Sequence, residues 1–321
     1  MGRYLARRLI QTALVMLAMS LAVYLLIGLM PGDPIDLMIS GDPRITPADA
    51  ERLRILHGLD RPLWDRYLAW LGPALGGDLG YSRLHAQPVL SVLMSYLGNT
   101  ALLMGLSFLL AVTLALPLGI WAARREGEPA DHAINLFCFA GISVPPFWLA
   151  LLLMMLFAVA LGWLPAGGVA TVGGGGFWDR AAHLVLPVAT LTLASVAGYA
   201  RFMRASTIEV LRRDFVRTAR AKGASESRVV LHHVLRNALL PVITLVALNF
   251  GALFSGALIT ETMFSYPGMG KMIYDAIMAN DYNLALAGLL LATLLTLLAN
   301  LAADLGYAAL DPRVSLERAA A

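Results

Sequence analysis

Asp214-Phe215-Val216-Arg217-Thr218-Ala219-Arg220-Ala221-Lys222-Gly223-Ala224-Ser225-Glu226 lies in the middle of a polar segment, residues 201–236. Apolar runs long enough to cross a bilayer flank that segment on both sides. Connections between such runs are usually short, so a long polar one predicts a structure and a task of its own. Ile208, Leu211, Phe215 and Ala219 recur at helical spacing and predict one apolar stripe on a basic helix. Gly223 ends that helix, and Ser225 caps a second one whose Val230, Val234 and Leu235 share a side. The segment reads as a helix–turn–helix outside the membrane, with a face that wants a partner.

The rest of the chain fixes the class. Its 321 residues are 59% hydrophobic and 14% charged, with a mean hydropathy of +0.71. A soluble domain is nearer half apolar and a quarter charged. The excess sits in long runs and predicts an all-α integral membrane protein. Six spans are expected, at about Leu9–Met30, Leu97–Ala123, Ile134–Leu161, His183–Met203, Leu239–Ile259 and Leu284–Tyr307. At about 1.5 Å per residue each is long enough to cross the hydrocarbon core. The first is too long for a removable signal peptide, and Arg3, Arg7 and Arg8 before it act as a retained start signal.

Charge sets the orientation. The N-terminus, the second and fourth connections and the C-terminus carry 16 Lys/Arg and 9 Asp/Glu; the other three connections carry 8 and 12. The basic side is expected to be cytoplasmic, which puts both termini there. The same effect accounts for the basic character of residues 201–236 without any nucleic acid. The single Cys138 lies inside a span and reads as a small packing residue.

Four divisions follow. Residues 1–30 are a cytoplasmic tip and the first span. Residues 31–95 form a long extracytoplasmic loop. It opens on Pro31-Gly32-Asp33-Pro34, which stops the span. A short amphipathic helix follows, with Thr46 as N-cap, Pro47 at the first helical position, Asp49 near the positive end, Leu53, Ile55 and Leu56 as its apolar side, and Gly58 as its stop. That loop reads either as a folded cap or as a contact for a delivery protein or outer gate. Residues 96–305 are a five-helix core and 306–321 a cytoplasmic tail.

Within the core, Pro145-Pro146 breaks the third span, either as a hinge lining a water-filled path or as a packed kink. Asn135, Asn249, Asn300 and Asp304 are costly against lipid and are expected to face protein or water. Asn249, near the middle of the fifth span, is the pathway candidate, with helix-to-helix hydrogen bonding as its other role. Asp304, near a span end, is expected to pair with a basic neighbour. The glycines at 173–176 lack a following Lys-Ser/Thr, and Gly268-Met269-Gly270-Lys271 has Ser265 and Met272 where a phosphate loop needs glycine and a hydroxyl. No nucleotide site is therefore legible, and energy must come from another chain. His232-His233 point to different helix faces and make a poor metal site.

The runs Arg217–Gly223 and Leu235-Arg236-Asn237-Ala238-Leu239-Leu240-Pro241 resemble the coupling-helix signature of ATP-binding-cassette (ABC) importer permeases. Ala219 and Gly223 match the general signature. Arg217 and Thr218, and the late Pro241, are similar to its dipeptide/oligopeptide branch. Pro31–Pro34, Gly58–Leu63, Gly76–Ser82 and Glu261–Gly270 resemble the B-type subunit of that branch. The resemblance implies a type I ABC importer permease fold in the bacterial cytoplasmic (inner) membrane. It implies a second homologous permease, two ATP-binding subunits that hold ATP and Mg, and an extracytoplasmic solute-binding protein, with no cofactor in this chain. It places the ATPase contact on Asp214, Phe215, Arg217, Thr218, Ala219, Ala221, Lys222, Gly223 and Ala224. In that contact Phe215 and Ala219 pack, Arg217 and Lys222 meet carboxylates or carbonyls, and Gly223 permits the turn. Relatives in the branch carry dipeptides, longer peptides, glutathione or nickel. An ion-coupled secondary transporter or an intramembrane enzyme are the rival readings; the spans offer neither a recognisable inverted repeat nor paired ionisable groups at one depth.

Overall fold

No proline and no internal glycine interrupts residues 3–27, and they form one helix, α1 (Gly2–Gly28). The computed structural model describes residues 2–29, 46–56, 59–250 and 257–310. After α1 come α2 (Pro47–Leu56), α3 (Leu63–Leu75) and a two-stranded hairpin in which Tyr81–Ser82 pairs antiparallel with Gln87–Pro88. The long α4 (Val89–Arg124) leads to α5 (Pro129–Ser143) and α6 (Pro146–Leu153), which runs on as a π-helical turn over Met154–Ala160. Then follow α7 (Phe177–Leu211), α8 (Asp214–Ala221), a helical turn at Glu226–Arg228 and a π-helical stretch at Val229–Val234. The chain ends through α9 (Leu235–Phe250), α10 (Leu258–Met263), α11 (Met269–Met278) and α12 (Tyr282–Leu310).

The centre is the pairing of α4 with α7. Ser107, Ala111, Ala115 and Gly119 recur every four residues, so they share one side of α4, and all are buried. Small side chains let two helices approach closely enough for backbone contact, which drives association where no hydrophobic force acts between helices. At Gly119 a Cβ would lie 2.6 Å from both Ala200 O and Met203 Cβ. The same cluster takes in α5: Cys138 packs with Ala197 and Ala200, and a Cβ at Gly141 would lie 3.0 Å from Ala197 Cβ. Cys138 is thus the buried packing residue its sequence context predicts.

Among the described residues, α1, α4, α7 and α12 are long and apolar enough to cross a membrane, and α5–α6 is a fifth if the bent pair counts as one span. The bend there is 104°, at the Pro145-Pro146 break. The expected fifth span runs through residues 251–256, outside the described ones. The second span starts at Val89, not Leu97, and the fourth runs from Phe177 to Leu211, each many residues longer than expected. Leu9, Ile10 and Leu14 on α1 and Leu109 on α4 are each more than half exposed. Apolar surface of that extent suits acyl chains and not water.

The loop after α1 carries more structure than expected. Thr46 and Asp49 cap α2 reciprocally: Asp49 N donates to Thr46 Oγ1 (3.3 Å), and Thr46 N donates to Asp49 Oδ2 (3.2 Å). The turn at 31–34, the stop at Gly58 and the tail at 311–321 lie outside the described residues. An aromatic group missed in the sequence, Trp64, Tyr67 and Trp70 of α3 with Tyr24 of α1, stacks at 5.4–6.3 Å between centroids. Tyr67 Oη also meets Ser20 Oγ at 2.9 Å, so α3 lies folded against α1.

Gly119→Val forces the α4–α7 contact apart and is expected to cost about 1–3 kcal/mol. The checking measurement is thermal unfolding of the purified protein. Gly105→Ala, which has nothing within 4 Å, is the control and is expected to match or exceed wild type.

Candidate functional site

The polar segment folds as an elbow, built differently from the single striped helix its spacing predicts. Ile208 and Leu211 belong to the last turn of α7, while Phe215 and Ala219 belong to α8. The break falls at Arg212-Arg213, where Arg213 is extended (φ −77°, ψ 149°) and precedes α8 as its N-cap. Arg212 is drawn to Glu126 (2.8 Å) and Arg213 to Glu209 (2.7 Å). The inner face of the elbow is Val216 and Ala219, packed with Met203 and Val210 of α7, Val229 and Val234 of the π-helical stretch, and Ala238 and Val242 of α9. Ser206 Oγ donates to Ala238 O (2.8 Å), a polar tie between the two spans at the elbow's root.

Gly223 ends α8 with φ +80°, a left-handed conformation that suits glycine, and open space surrounds its Cα. Its requirement is therefore conformational and not steric. Ser225 occupies the next N-cap position but makes no side-chain cap bond. The turn is braced instead by Arg220, whose Nε and Nη2 donate to the two Glu226 carboxyl oxygens at 2.7 and 3.1 Å.

The outer face of α8 is left to solvent. Asp214 and Arg217 are mostly exposed and 3.2 Å apart, a surface pair that contributes little to stability. Phe215, an aromatic ring, is 39% exposed, and Thr218, Ala221, Lys222 and Gly223 are also exposed. Ala224 is half-buried and packs on the elbow's core. The expected contact residues therefore divide. Phe215, Thr218 and Lys222 share a face at helical spacing, with Asp214, Arg217 and Ala221 beside it, whereas Ala219 is turned inward into its own chain.

The pathway candidates are not brought together with the elbow. Pro145 and Pro146 lie exposed at the α5–α6 bend. Asn249 lies in α9, and its side chain is outside the described set. Asn135 bonds Asp131, Asn300 is exposed along α12, and Asp304 takes Arg8 Nη2 at 2.6 Å and Tyr4 Oη at 3.1 Å, the basic partner expected of it. Among the described residues no cluster of His, Cys, Asp or Glu could hold a metal.

At the opposite end of the bundle, the Glu261–Gly270 stretch winds around a wholly buried Glu261. Its carboxyl oxygens accept from Thr100 Oγ1 (2.8 Å) and Lys271 N (3.0 Å), and Thr100 Oγ1 in turn accepts from Met269 N (2.7 Å). A Cβ at Gly268 would meet the Glu261 side chain at 2.3 Å, so that glycine is required by space. Tyr266, its hydroxyl pushed up to about 12 by burial and then by the nearby Glu261, donates to Asn99 O (3.1 Å). Spacing gave no sign of this lock, because a lone glutamate after a span reads as a loop residue.

Comparison with known proteins gives a uniform result. The family model described as "Binding-protein-dependent transport system inner membrane component" matches residues 115–316, and its N-terminal counterpart matches residues 1–114. The oligopeptide transport system permease protein AppB of Bacillus subtilis is 39% identical, over 98% of this chain and 99% of its own length. The di/tripeptide transport system permease protein DppB of Pseudomonas aeruginosa is also 39% identical over the same shares, and the glutathione transport system permease protein GsiC of Escherichia coli is 38% identical over them. A chain of the MetNI methionine ABC transporter, solved in inward-facing conformations, superposes with a TM-score of 0.55 over 69% of this chain and 97% of its own, at 18% identity. At that identity the likeness is one of fold.

Hydrogen bonds from Arg220 hold the Glu226 carboxyl below the usual glutamate range. A depressed carboxyl stabilises the fold above its unfolded pKa and loses that contribution as pH falls through the folded one. The brace is thus complete at neutral pH and opens in acid. Glu226→Gln is expected to lower amide-exchange protection over residues 214–226 roughly two- to fivefold at pH 7, the scale of an exposed ion pair. The difference from wild type is expected to close below the ordinary glutamate range.

Proposed function

Since the chain belongs to the binding-protein-dependent transport system inner membrane components, we propose that it forms half of the membrane pathway of an ATP-driven peptide importer. In this reading six spans cross the bacterial inner membrane, with both termini cytoplasmic. The fifth of them begins in α9. A second, homologous permease completes the pathway. Two ATPase subunits hold ATP and Mg, and an extracytoplasmic receptor delivers the solute. The chain itself catalyses nothing.

The observation that carries this reading is the two-sidedness of α8. Its inner face is fastened to both neighbouring spans through Val216 and Ala219, and its outer face presents Phe215, Thr218 and Lys222 to solvent. A helix fastened on one side and open on the other transmits a push. Phe215 is the apolar contact on the ATPase, and Arg217 and Lys222 answer carboxylates or carbonyls there. When ATP closes the ATPase pair, the elbow is displaced as a rigid piece. The spans then tilt between states open to either side. The names of the relatives, which span oligopeptide, di/tripeptide and glutathione carriers, favour a solute with a peptide backbone.

Gly223→Asp is the test of the elbow. The variant is expected to insert into the membrane normally, because Gly223 lies outside the spans. It is expected to abolish the ATP hydrolysis that solute-loaded receptor stimulates in the reconstituted complex, because a side chain is strained at φ +80° and the turn must reshape. Normal coupling in that variant overturns the assignment of the elbow. Calorimetric binding of dipeptides, longer peptides and glutathione to the cognate receptor decides the solute.

A further inference from the structure

Asp131 begins α5 and is 2% exposed. Four donors converge on its carboxylate. Oδ1 takes Arg204 Nε (2.6 Å) and Asn135 Nδ2 (2.7 Å); Oδ2 takes Arg204 Nη2 (2.7 Å) and Gly127 N (3.0 Å). The guanidinium fork therefore meets the carboxylate with two parallel bonds, an arrangement that fixes orientation as well as distance. Arg204 belongs to α7, next to Met203, which packs in the core of the elbow.

Other contacts between α5 and α7 are of a different kind. Cys138, Gly141 and Ala197 meet as small, apolar surfaces, and the Arg201 guanidinium lies over the Phe139 ring at 4.8 Å, a contact without the fixed geometry of a paired hydrogen bond. Smooth contacts of that sort hold two helices together but resist sliding along the axis weakly. The fork resists it strongly, since an axial shift breaks both of its bonds at once. From Asp131, α5 runs without interruption to Ser143 and the 104° bend. A continuous path thus leads from α8, through Val216 and Ala219 to α7, across the fork to α5, and along α5 to Pro145-Pro146.

We propose that the Asp131–Arg204 pair is the positioning contact that locks α5 to α7 in axial register, so that displacement of the elbow reaches the bend in the transport core. The role rests on the importer reading above. Neither residue touches solute or ATPase in it, and the pair acts through the helices it joins. Glu126–Arg212, an ion pair from the α4–α5 connection to the residue that follows α7, is exposed at both ends and contributes little.

The test uses the complete complex of both permeases, the ATPases and the receptor in proteoliposomes. Arg204→Lys keeps the charge and removes the fork. It is expected to preserve assembly and basal ATP hydrolysis while lowering solute delivered per ATP about fivefold or more, the lower bound of a typical coupling between sites. Asp131→Asn is expected to do the same, and the double variant to do no worse than either single one. A purely structural role moves assembly and melting but leaves solute per ATP unchanged, and that result overturns the proposal. An independent measurement leaves the pair intact. In a Cys138→Ala background, spin labels at Leu136 and Phe202 are expected to keep their separation when ATP is added, while labels at Leu136 and Leu151, across the bend, change theirs. Sliding of α5 against α7 in that experiment overturns the proposal even if the variants fail to assemble. Wild-type uptake that proceeds without ATP overturns the importer reading itself, a result distinct from normal ATP coupling that is insensitive to Arg204→Lys.

Discussion

The close approach of α4 and α7 is the constraint on which the rest of the structure depends. Lipid supplies no hydrophobic drive between helices, so contact area and satisfied polar groups must hold the bundle. Gly119 lets α7 come within backbone contact at Ala200, Met203 and Arg204. That position fixes three things at once. Met203 reaches the core of the elbow, Arg204 reaches Asp131, and Ala197 and Ala200 meet α5. A wider spacing at Gly119 would disturb all three, because each depends on residues within two turns of the contact.

The two ends of the bundle are finished differently. At the Glu261 end, a buried acid gathers a hydroxyl donor from α4 and a backbone donor from the first turn of α11, and Gly167 and Gly168 bring a further loop onto Phe264 O. Burying such a group is costly unless its acceptors are met, so the loop is pinned in one arrangement. At the elbow end, most of the polar contacts are surface pairs around an apolar centre, with the Asp131–Arg204 fork and the Ser206–Ala238 bond as exceptions. One end is built to stay; the other presents a face.

Much of this was legible in the residues themselves. Pro145-Pro146 announced a break because neither ring can donate a backbone hydrogen bond. Thr46, Pro47 and Asp49 announced a helix start, and Asp304 announced a basic partner, since a lone acid near a span end must find one. The break at Arg212-Arg213 was hidden. The apolar stripe keeps helical spacing straight across it, and periodicity cannot tell one helix from two that share a core. The Asp131–Arg204 fork joins residues 73 apart and the Thr100–Glu261 bond residues 161 apart. Such pairs leave no mark on local pattern. Trp64, Tyr67 and Trp70 repeat every three residues and so leave a local mark, but their partner Tyr24 lies on a different helix, 40 or more residues away.

An eight-residue helix explains why the elbow needs its surroundings. Helices shorter than about 12 residues are marginal in water on their own, because nucleation is costly and few bonds offset it. α8 has only eight residues and lies between a break and a left-handed glycine. Its stiffness is therefore borrowed from Val216 and Ala219, seated between α7 and α9, and from the Arg220–Glu226 brace. Ala219 fits this role because a larger side chain would hold α8 off the spans, whereas Phe215 and Lys222, on the free side, bear no such restriction. The residues that make the elbow rigid and those it leaves to solvent are thus separate sets on one short helix.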